Sequence, residues 1–414
     1  MPDRHVPVRP DLDQLRHQAK DLLGALRRGD AEAVAEFTRN HPESIAPDRA
    51  RLSDAQIALA RAYGVASWPR LVVACKIIDA IWRDDVDAVR MLVRRDPALL
   101  VEDARGVQGN WGPPMSYAAN LGRDRVIEML RAEGAADLDY AFDRACLQGK
   151  IATARRLHEM GARAARGSVM GPCETLNPDG LRFLIELGAE LCDEHGNTLA
   201  PLGMLLETYG RHPLEKHACL EILGEYVPLP DTAPMAVHRG RLDLLEALVQ
   251  RDPAIVARTW THDEIYPRSL GCHEDPTAAL HGTPIAGGTL LHMCVDFHET
   301  AIAEWLLDHG ADADGRAAVD EDGFGGHTPL FGCVVSQPYR VFALRGEGLT
   351  RVLLDRGADP NARASLRKEL RGVADETLHE YRDVTPIAWA QRFHDQDWVN
   401  PDAVRLVTER GGKA

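Results

Sequence analysis

The sequence predicts an all-α fold built from repeated pairs of short helices. A short segment that has Thr, Pro or Gly in its first two positions and continues as an apolar helical run recurs along the chain. Its copies lie at 112–118, 231–236, 288–294, 326–333 and 384–390. After several of these copies a second amphipathic run ends in Gly-Ala, and Gly134, Gly161 and Gly188 close such runs 27 residues apart. One helix pair cannot bury its apolar face alone, so stacked copies have to supply the core.

The residues at the ends of these runs favour helix starts and stops. A Thr hydroxyl can cap a helix, and Pro fits the first helical position because its missing N–H would be unused there. Gly takes the left-handed conformation that ends a helix at low cost. Thr328 and Pro329 therefore predict a helix start, and Gly310 and Gly357 predict helix ends.

Residues 1–102 differ in pattern from the rest and predict amphipathic helices of a capping region. Ser53 is expected to cap one helix, Gly64 to end it, and Ser67 with Pro69 to start the next. An open-ended array of helix pairs needs such a terminal cap with a polar outer face.

The C-terminal copies resemble ankyrin repeats. The resemblance lies in Thr-Pro-Leu at 328–330 and in Leu-Leu-Asp-Arg-Gly-Ala-Asp-Pro-Asn-Ala at 353–362. The segment before residue 103 is similar to the divergent lead-in of bacterial ankyrin-repeat proteins. The resemblance implies a solenoid of about nine or ten helix pairs. It divides the chain into a cap at 1–102, degenerate repeats at 103–258 and repeats with long insertions at 259–414.

Three connections in the last region are longer than a repeat of about 33 residues requires. They are loop 1 at 259–288, loop 2 at 314–327 and loop 3 at 361–383. Insertions into repeats tend to fall on one face, which is often the binding face. In loop 2, Gly325 and Gly326 predict a tight hairpin turn. A phosphate-binding loop is not indicated, because no strand precedes them and no Lys-Ser/Thr follows.

The resemblance implies a protein that binds other proteins through its concave face and its loops. Aromatic side chains dominate interface energetics, which makes the aromatic loop residues the candidate anchors. Residues 251–414 contain 26 acidic and 17 basic residues, a net charge of −9, which favours a protein partner with a basic patch. The candidate partner-binding residues are Trp260, Tyr266, Phe324, Tyr381, Asp320, Glu321 and Asp322.

An enzyme, or a protein that binds a small molecule or a metal, is the alternative. The same loops contain His262, His273, His281 and His327 beside several carboxylates. If the loops point the same way, these groups could form a pocket suited to acid–base chemistry. The sequence assigns no catalytic residue, no metal ligand and no cofactor. It lacks Gly-x-Ser-x-Gly, His-Glu-x-x-His and a Gly-x-Gly-x-x-Gly that opens a helix after a strand.

Charge and cysteine usage narrow the class of protein. The formal net charge of −15 disfavours binding to nucleic acid or to an anionic membrane. There is no stretch of about 18 apolar residues and no apolar signal core at the start. The eight cysteines occur singly, mostly within apolar runs, which suits a reducing compartment. We therefore expect a cytoplasmic protein.

Overall fold

The computed structural model describes residues 4–275, 281–336, 347–373 and 375–414. The chain folds as two compact units, Met1–Ala165 and Arg166–Ala414. The described residues are mostly helical, which confirms the predicted helical class, and the exception is a two-stranded sheet in loop 3. The division at 102 and 258 follows sequence character and stays a prediction. None of the helices in the described ranges combines the length and the apolar character needed to cross a membrane.

The first unit consists of short helices joined by tight turns. Its helices are α1 Leu12–Arg28, α2 Ala31–Asn40, α3 Leu52–Ala62, α4 Trp68–Trp82, α5 Val86–Arg95, α6 Pro114–Asn120, α7 Asp124–Ala132, α8 Leu138–Leu147 and α9 Ile151–Glu159. Helices α4–α5, α6–α7 and α8–α9 form pairs, and α6 packs against both α4 and α8. Stacking of the first helix of each pair is therefore what builds the core of this part.

The second unit continues the same plan with longer connections. Its elements are α10 Met170–Glu174, α11 Pro178–Glu186, α12 Ala200–Leu206, α13 Pro213–Gly224, α14 Ala233–His238, α15 Leu242–Arg251, α16 His262–Ile265, α17 Leu290–Phe297, α18 Thr300–Asp308, α19 Pro329–Val334, α20 Gly348–Asp355, β1 Ala364–Lys368, β2 His379–Val384, α21 Pro386–Arg392 and α22 Pro401–Glu409. Helix α17 packs against α14 and α19, and α19 packs against α21. The first helices of the last four pairs, α14, α17, α19 and α21, thus pack one against the next.

The predicted helix starts are mostly confirmed. Thr328 is the N-cap of α19 and Pro329 is its first residue, but the Thr328 hydroxyl has no hydrogen-bond partner among the described residues. The hydroxyl of Thr385 accepts a hydrogen bond from the Ala388 N–H at 3.1 Å, and Ser67 caps α4 in the same way. The prediction for Ser53 is wrong, because α3 begins at Leu52 and Arg51 is its N-cap. There the Asp54 carboxylate accepts the Arg51 N–H at 2.7 Å, so Asp54 anchors the helix start and Ser53 lies inside the first turn.

The predicted glycine stops are confirmed by their backbone. Gly134, Gly161, Gly188, Gly310 and Gly357 all have positive φ, between 81° and 109°. No atom of another residue lies within 4 Å of a Cβ built on any of these five. The cost of a side chain there is therefore backbone strain alone.

A pair of substitutions in the first unit tests this reading. Gly134→Ala should destabilise the unit by about 1–2 kcal/mol, because alanine is strained in the left-handed region. Gly24→Ala, inside α1, should stabilise the same unit by roughly 0.5–1 kcal/mol, because alanine favours a helix interior. Thermal and urea melts followed by circular dichroism measure both, and shifts of the same sign would contradict the cap assignment.

All eight cysteines are free and buried. Burial raises the pKa of Cys75 to about 11 and those of Cys146 and Cys219 to about 12. As predicted from their apolar surroundings, these thiols pack as small hydrophobic side chains.

Candidate functional site

Backbone hydrogen bonds join loop 1 to loop 2. Within loop 1, the Trp260 N–H donates to the Gly288 carbonyl at 2.9 Å and the Gly287 N–H donates to the Trp260 carbonyl at 2.8 Å. The Ala318 N–H of loop 2 donates to the Gly287 carbonyl at 2.8 Å. The two loops are therefore held side by side by main-chain contacts, which do not depend on long flexible side chains.

Loop 2 is joined to loop 3 at Gly325. Its N–H donates to the Ser365 carbonyl on β1 at 2.7 Å, and β1 pairs antiparallel with β2. Gly325 and Gly326 both have positive φ, as the turn prediction requires, and a Cβ at Gly325 would lie 2.0 Å from the Ala318 carbonyl oxygen. Only glycine fits there. Through these main-chain hydrogen bonds the three loops form one connected layer.

An open groove lies along this layer, and we call it the loop groove. It has a volume of about 340 Å³ and takes its lining from all three loops. Pro284 and Ala286 come from loop 1, Ala318 and Phe324 from loop 2, and Leu366 and Arg367 from loop 3. Most of this lining is apolar, and Val319 on its edge is 62% exposed. The predicted approach of the three loops in space is thus what creates the cavity.

The four aromatic residues predicted as anchors are buried, with exposures between 1% and 6%. The Phe324 ring lies under the guanidinium groups of Arg382 and Arg367, at 4.2 and 5.1 Å from its centroid. Tyr381 donates its hydroxyl proton to His394 at 2.7 Å. These rings therefore stabilise the loops, and of the four only Phe324 lines the groove. Contact of Trp260, Tyr266, Phe324 or Tyr381 with a partner stays a prediction.

The three acidic candidates lie together at the tip of loop 2. Arg367 donates to Asp320 at 2.7 Å and to Asp322 at 3.0 Å, while Glu321 is exposed between them. The tip is therefore held against β1 by an ion pair, and its carboxylates are only partly neutralised.

His327 is the one predicted histidine that lines the groove. It is 2% exposed, and its Nε2–H donates to the Pro284 carbonyl at 2.8 Å. Its backbone carbonyl accepts a hydrogen bond from His292 Nε2 at 3.1 Å. Among the described residues, Nδ1 of His327 has no hydrogen-bond partner. Burial lowers the pKa of His327 to about 4, so the ring is neutral and Nδ1 is a free acceptor.

The other three predicted histidines do not join His327. His281 donates from Nδ1 to Asp296 at 2.8 Å and accepts the Tyr266 hydroxyl proton at Nε2, at 3.1 Å. The His262 ring packs against Tyr266 at 5.2 Å, and His273 is exposed. Within the described ranges, no three His, Cys, Asp or Glu side chains are arranged to hold a metal ion. The loops therefore do not form the predicted histidine and carboxylate pocket from these four residues.

His281 instead belongs to a buried ionic cluster, which we define as Arg211, Lys216, His238, His281 and Asp296. Arg211 donates to Asp296 at 2.9 Å, and the side chains of both are at most 5% exposed. Lys216 donates to Nδ1 of His238 at 2.9 Å, and His238 donates from Nε2 to the Ile265 carbonyl. The cluster joins α13, α14, α17 and loop 1, so it anchors loop 1 on the helices.

Burial sets the protonation of this cluster. It would raise the pKa of Asp296, but Arg211 and His281 hold that pKa well below its usual range. It lowers the pKa of Lys216 to about 7, and the nearby Arg211 lowers it further. Sequence reasoning missed Arg211, Lys216, His238 and Asp296. Lys216 follows Glu215 at the start of α13, where charged residues are typical of an exposed helix face. His238 and Asp296 lie in short, largely apolar helices, and no local pattern marks them as partners.

Comparison with known proteins adds little to this description. No protein-family model matches the sequence, and no curated protein matches it. Among solved structures, the human ASB11 ankyrin repeat domain aligns with 73% of this chain and 99% of that domain. The sequence identity is 17% and the TM-score is 0.27. A TM-score this low does not establish a shared fold, so the assignment to helix pairs rests on the packing and caps described above.

Proposed function

We propose that the chain is a non-enzymatic scaffold that binds a protein partner through the loop groove and the acidic tip of loop 2. One observation carries the proposal: three long loops are joined into one backbone-bonded layer that leaves an apolar groove open. A solenoid of ankyrin-type repeats with a concave face is the architecture we infer around it.

The layer suits binding because it is formed before a partner arrives. A preorganised surface avoids the conformational entropy that flexible loops lose when they bind. Binding hot spots favour pockets into which a partner can insert one side chain and exclude water around it. The loop groove, with Phe324 and Leu366 buried in its wall, offers such a pocket.

An enzyme or a small-molecule site remains the alternative for the same groove. Its volume of about 340 Å³ is at the low end of ligand pockets, which span about 300–1,000 Å³. The dispersal of His262, His273, His281 and His327 removes the acid–base grouping that first suggested chemistry. We therefore place the protein-binding function first.

A groove-filling substitution tests the proposal. Ala318 is exposed and lines the groove, so Ala318→Trp should fill the cavity without entering the core. Ala301, exposed on α18, provides the matched control Ala301→Trp. We expect affinity capture from lysate of the source cells to recover a stoichiometric partner with the wild type and Ala301→Trp, and not with Ala318→Trp.

Equal recovery by all three proteins would place the partner elsewhere and contradict the groove assignment. Recovery of no partner by any of them, with all three folded by circular dichroism, would favour the small-molecule alternative. Screening of the wild type and Ala318→Trp against small-molecule libraries then becomes the decisive measurement.

A further inference from the structure

On the basis of the proposed function, we propose that the partner contributes an extended segment. This segment carries an apolar side chain and, two residues away, a lysine or arginine. The apolar side chain fills the loop groove, and the basic side chain binds the carboxylates at the tip of loop 2.

The apolar part follows from the wall of the groove. Phe324 and Leu366 are buried in it, Ala286 and Ala318 line it, and Val319 is exposed at its edge. At about 30 Å³ of liquid volume for each water, a cavity of 340 Å³ has the volume of about eleven waters. That is enough for one large aliphatic or aromatic side chain and part of the backbone that holds it.

The excess of carboxylates beside the groove indicates that the partner supplies a basic side chain. Loop 2, β1 and β2 together carry more acidic than basic side chains. The six carboxylates are those of Asp314, Asp320, Glu321, Asp322, Glu380 and Asp383, and the four basic side chains are Arg316, Arg367, Lys368 and Arg382. Arg316 donates to the carbonyls of Gly326 and Arg363, and Arg367 already contacts two of the three carboxylates. A cation from outside is therefore attracted to this edge, mainly at the exposed Glu321.

The spacing follows from strand geometry. In an extended segment, successive side chains point to opposite faces, so residues i and i+2 face the same surface. The groove and the acidic tip adjoin each other at Val319 and Asp320, both of which line the cavity. An apolar residue and a basic residue at i and i+2 can then contact both features at once.

Three synthetic peptides test the inference against the full chain. The probe is acetyl-Thr-Leu-Thr-Lys-Thr-amide, one control replaces its lysine with glutamate, and the other replaces its leucine with alanine. Transverse-relaxation-optimised NMR of the isotope-labelled full chain measures each affinity from amide shifts in loops 1 to 3. We expect the probe to bind about three- to fivefold more tightly than the glutamate control, as a partly exposed ion pair allows. The alanine control and the Ala318→Trp variant should show no binding.

A charge reversal gives the sharper outcome. Glu321→Lys, at an exposed position, should invert the preference so that the glutamate peptide binds better than the lysine peptide. Equal affinity for the lysine and glutamate peptides, or an unchanged preference in Glu321→Lys, would overturn this inference. If capture still yields a partner that Ala318→Trp loses, the proposed function stands without it. If neither capture nor peptides give binding, both fail together.

Discussion

Asp296→Ala should destabilise the second unit by about 3–5 kcal/mol, the cost typical of removing one partner of a buried ion pair. Asp296 holds Arg211, whose side chain is fully buried, and His281. Without the carboxylate, Arg211 stays in the interior beside Lys216 and loses the opposite charge that it contacts at 2.9 Å. Urea unfolding with hydrogen exchange resolved by unit measures the loss, which should fall on Arg166–Ala414.

Two control variants separate charge from packing in this experiment. Asp308→Ala breaks an exposed ion pair with Arg356, joined at 2.7 Å, and should cost less than about 1 kcal/mol. Asp296→Asn keeps the volume and some hydrogen bonds but loses the charge, so its cost should lie between the two. A loss at Asp296→Ala no larger than at Asp308→Ala would show that the buried cluster does not hold this unit together.

Lys216 should make the stability of the second unit rise with pH between about 7 and 8. Burial lowers the pKa of Lys216 from 10.5 to about 7, and Arg211 adds to the effect. Above pH 7 the unfolded chain therefore binds more protons at this residue than the folded chain does. Stability rises with pH wherever the unfolded state binds more protons, with a slope of up to about 1.4 kcal/mol per pH unit for each such lysine. The contribution is lost as pH falls toward 7.

Lys216→Met should flatten this slope. Part of it should remain, because burial also lowers the pKa of Lys368 to about 7. Lys413→Met, at an exposed position, should leave the slope as in the wild type. The eight cysteines, with an ordinary pKa near 8.5, also begin to titrate in the unfolded chain within this window. The quantity to compare is therefore the difference in slope between the wild type and each variant, from urea midpoints at pH 7.0, 7.5 and 8.0. An identical slope in the wild type and Lys216→Met would contradict the assignment.

Local patterns predicted most of the helix ends, because the contacts that decide them lie within a few residues. The glycine stops, such as Gly310 and Gly357, depend only on their own backbone, and the cap at Thr385 needs only the N–H three residues on. The prediction for Ser53 was wrong although its contacts are local, because Arg51 is the N-cap and the Asp54 carboxylate, one residue after Ser53, accepts the Arg51 N–H.

The candidate site was predicted only in outline. The three long loops do meet, but the partners of their side chains lie far away in sequence. His281 contacts Asp296 and Arg211, and Lys216 contacts His238, through helices that no local pattern connects. Aromatic residues in long loops read as exposed anchors, yet Phe324 packs beneath Arg382, 58 residues later in the chain.

The buried cysteines allow local unfolding of the chain to be measured by the rate at which they are alkylated. Only a thiolate reacts with an alkylating reagent, and Cys146, Cys173, Cys219 and Cys294 are fully buried in the folded state. Modification of these four cysteines therefore requires transient unfolding around each of them. Cys146 reports on the first unit, and Cys173, Cys219 and Cys294 report on the second. Mass spectrometry of the alkylated chain would thus rank the helix pairs by how often each one opens, without any added probe.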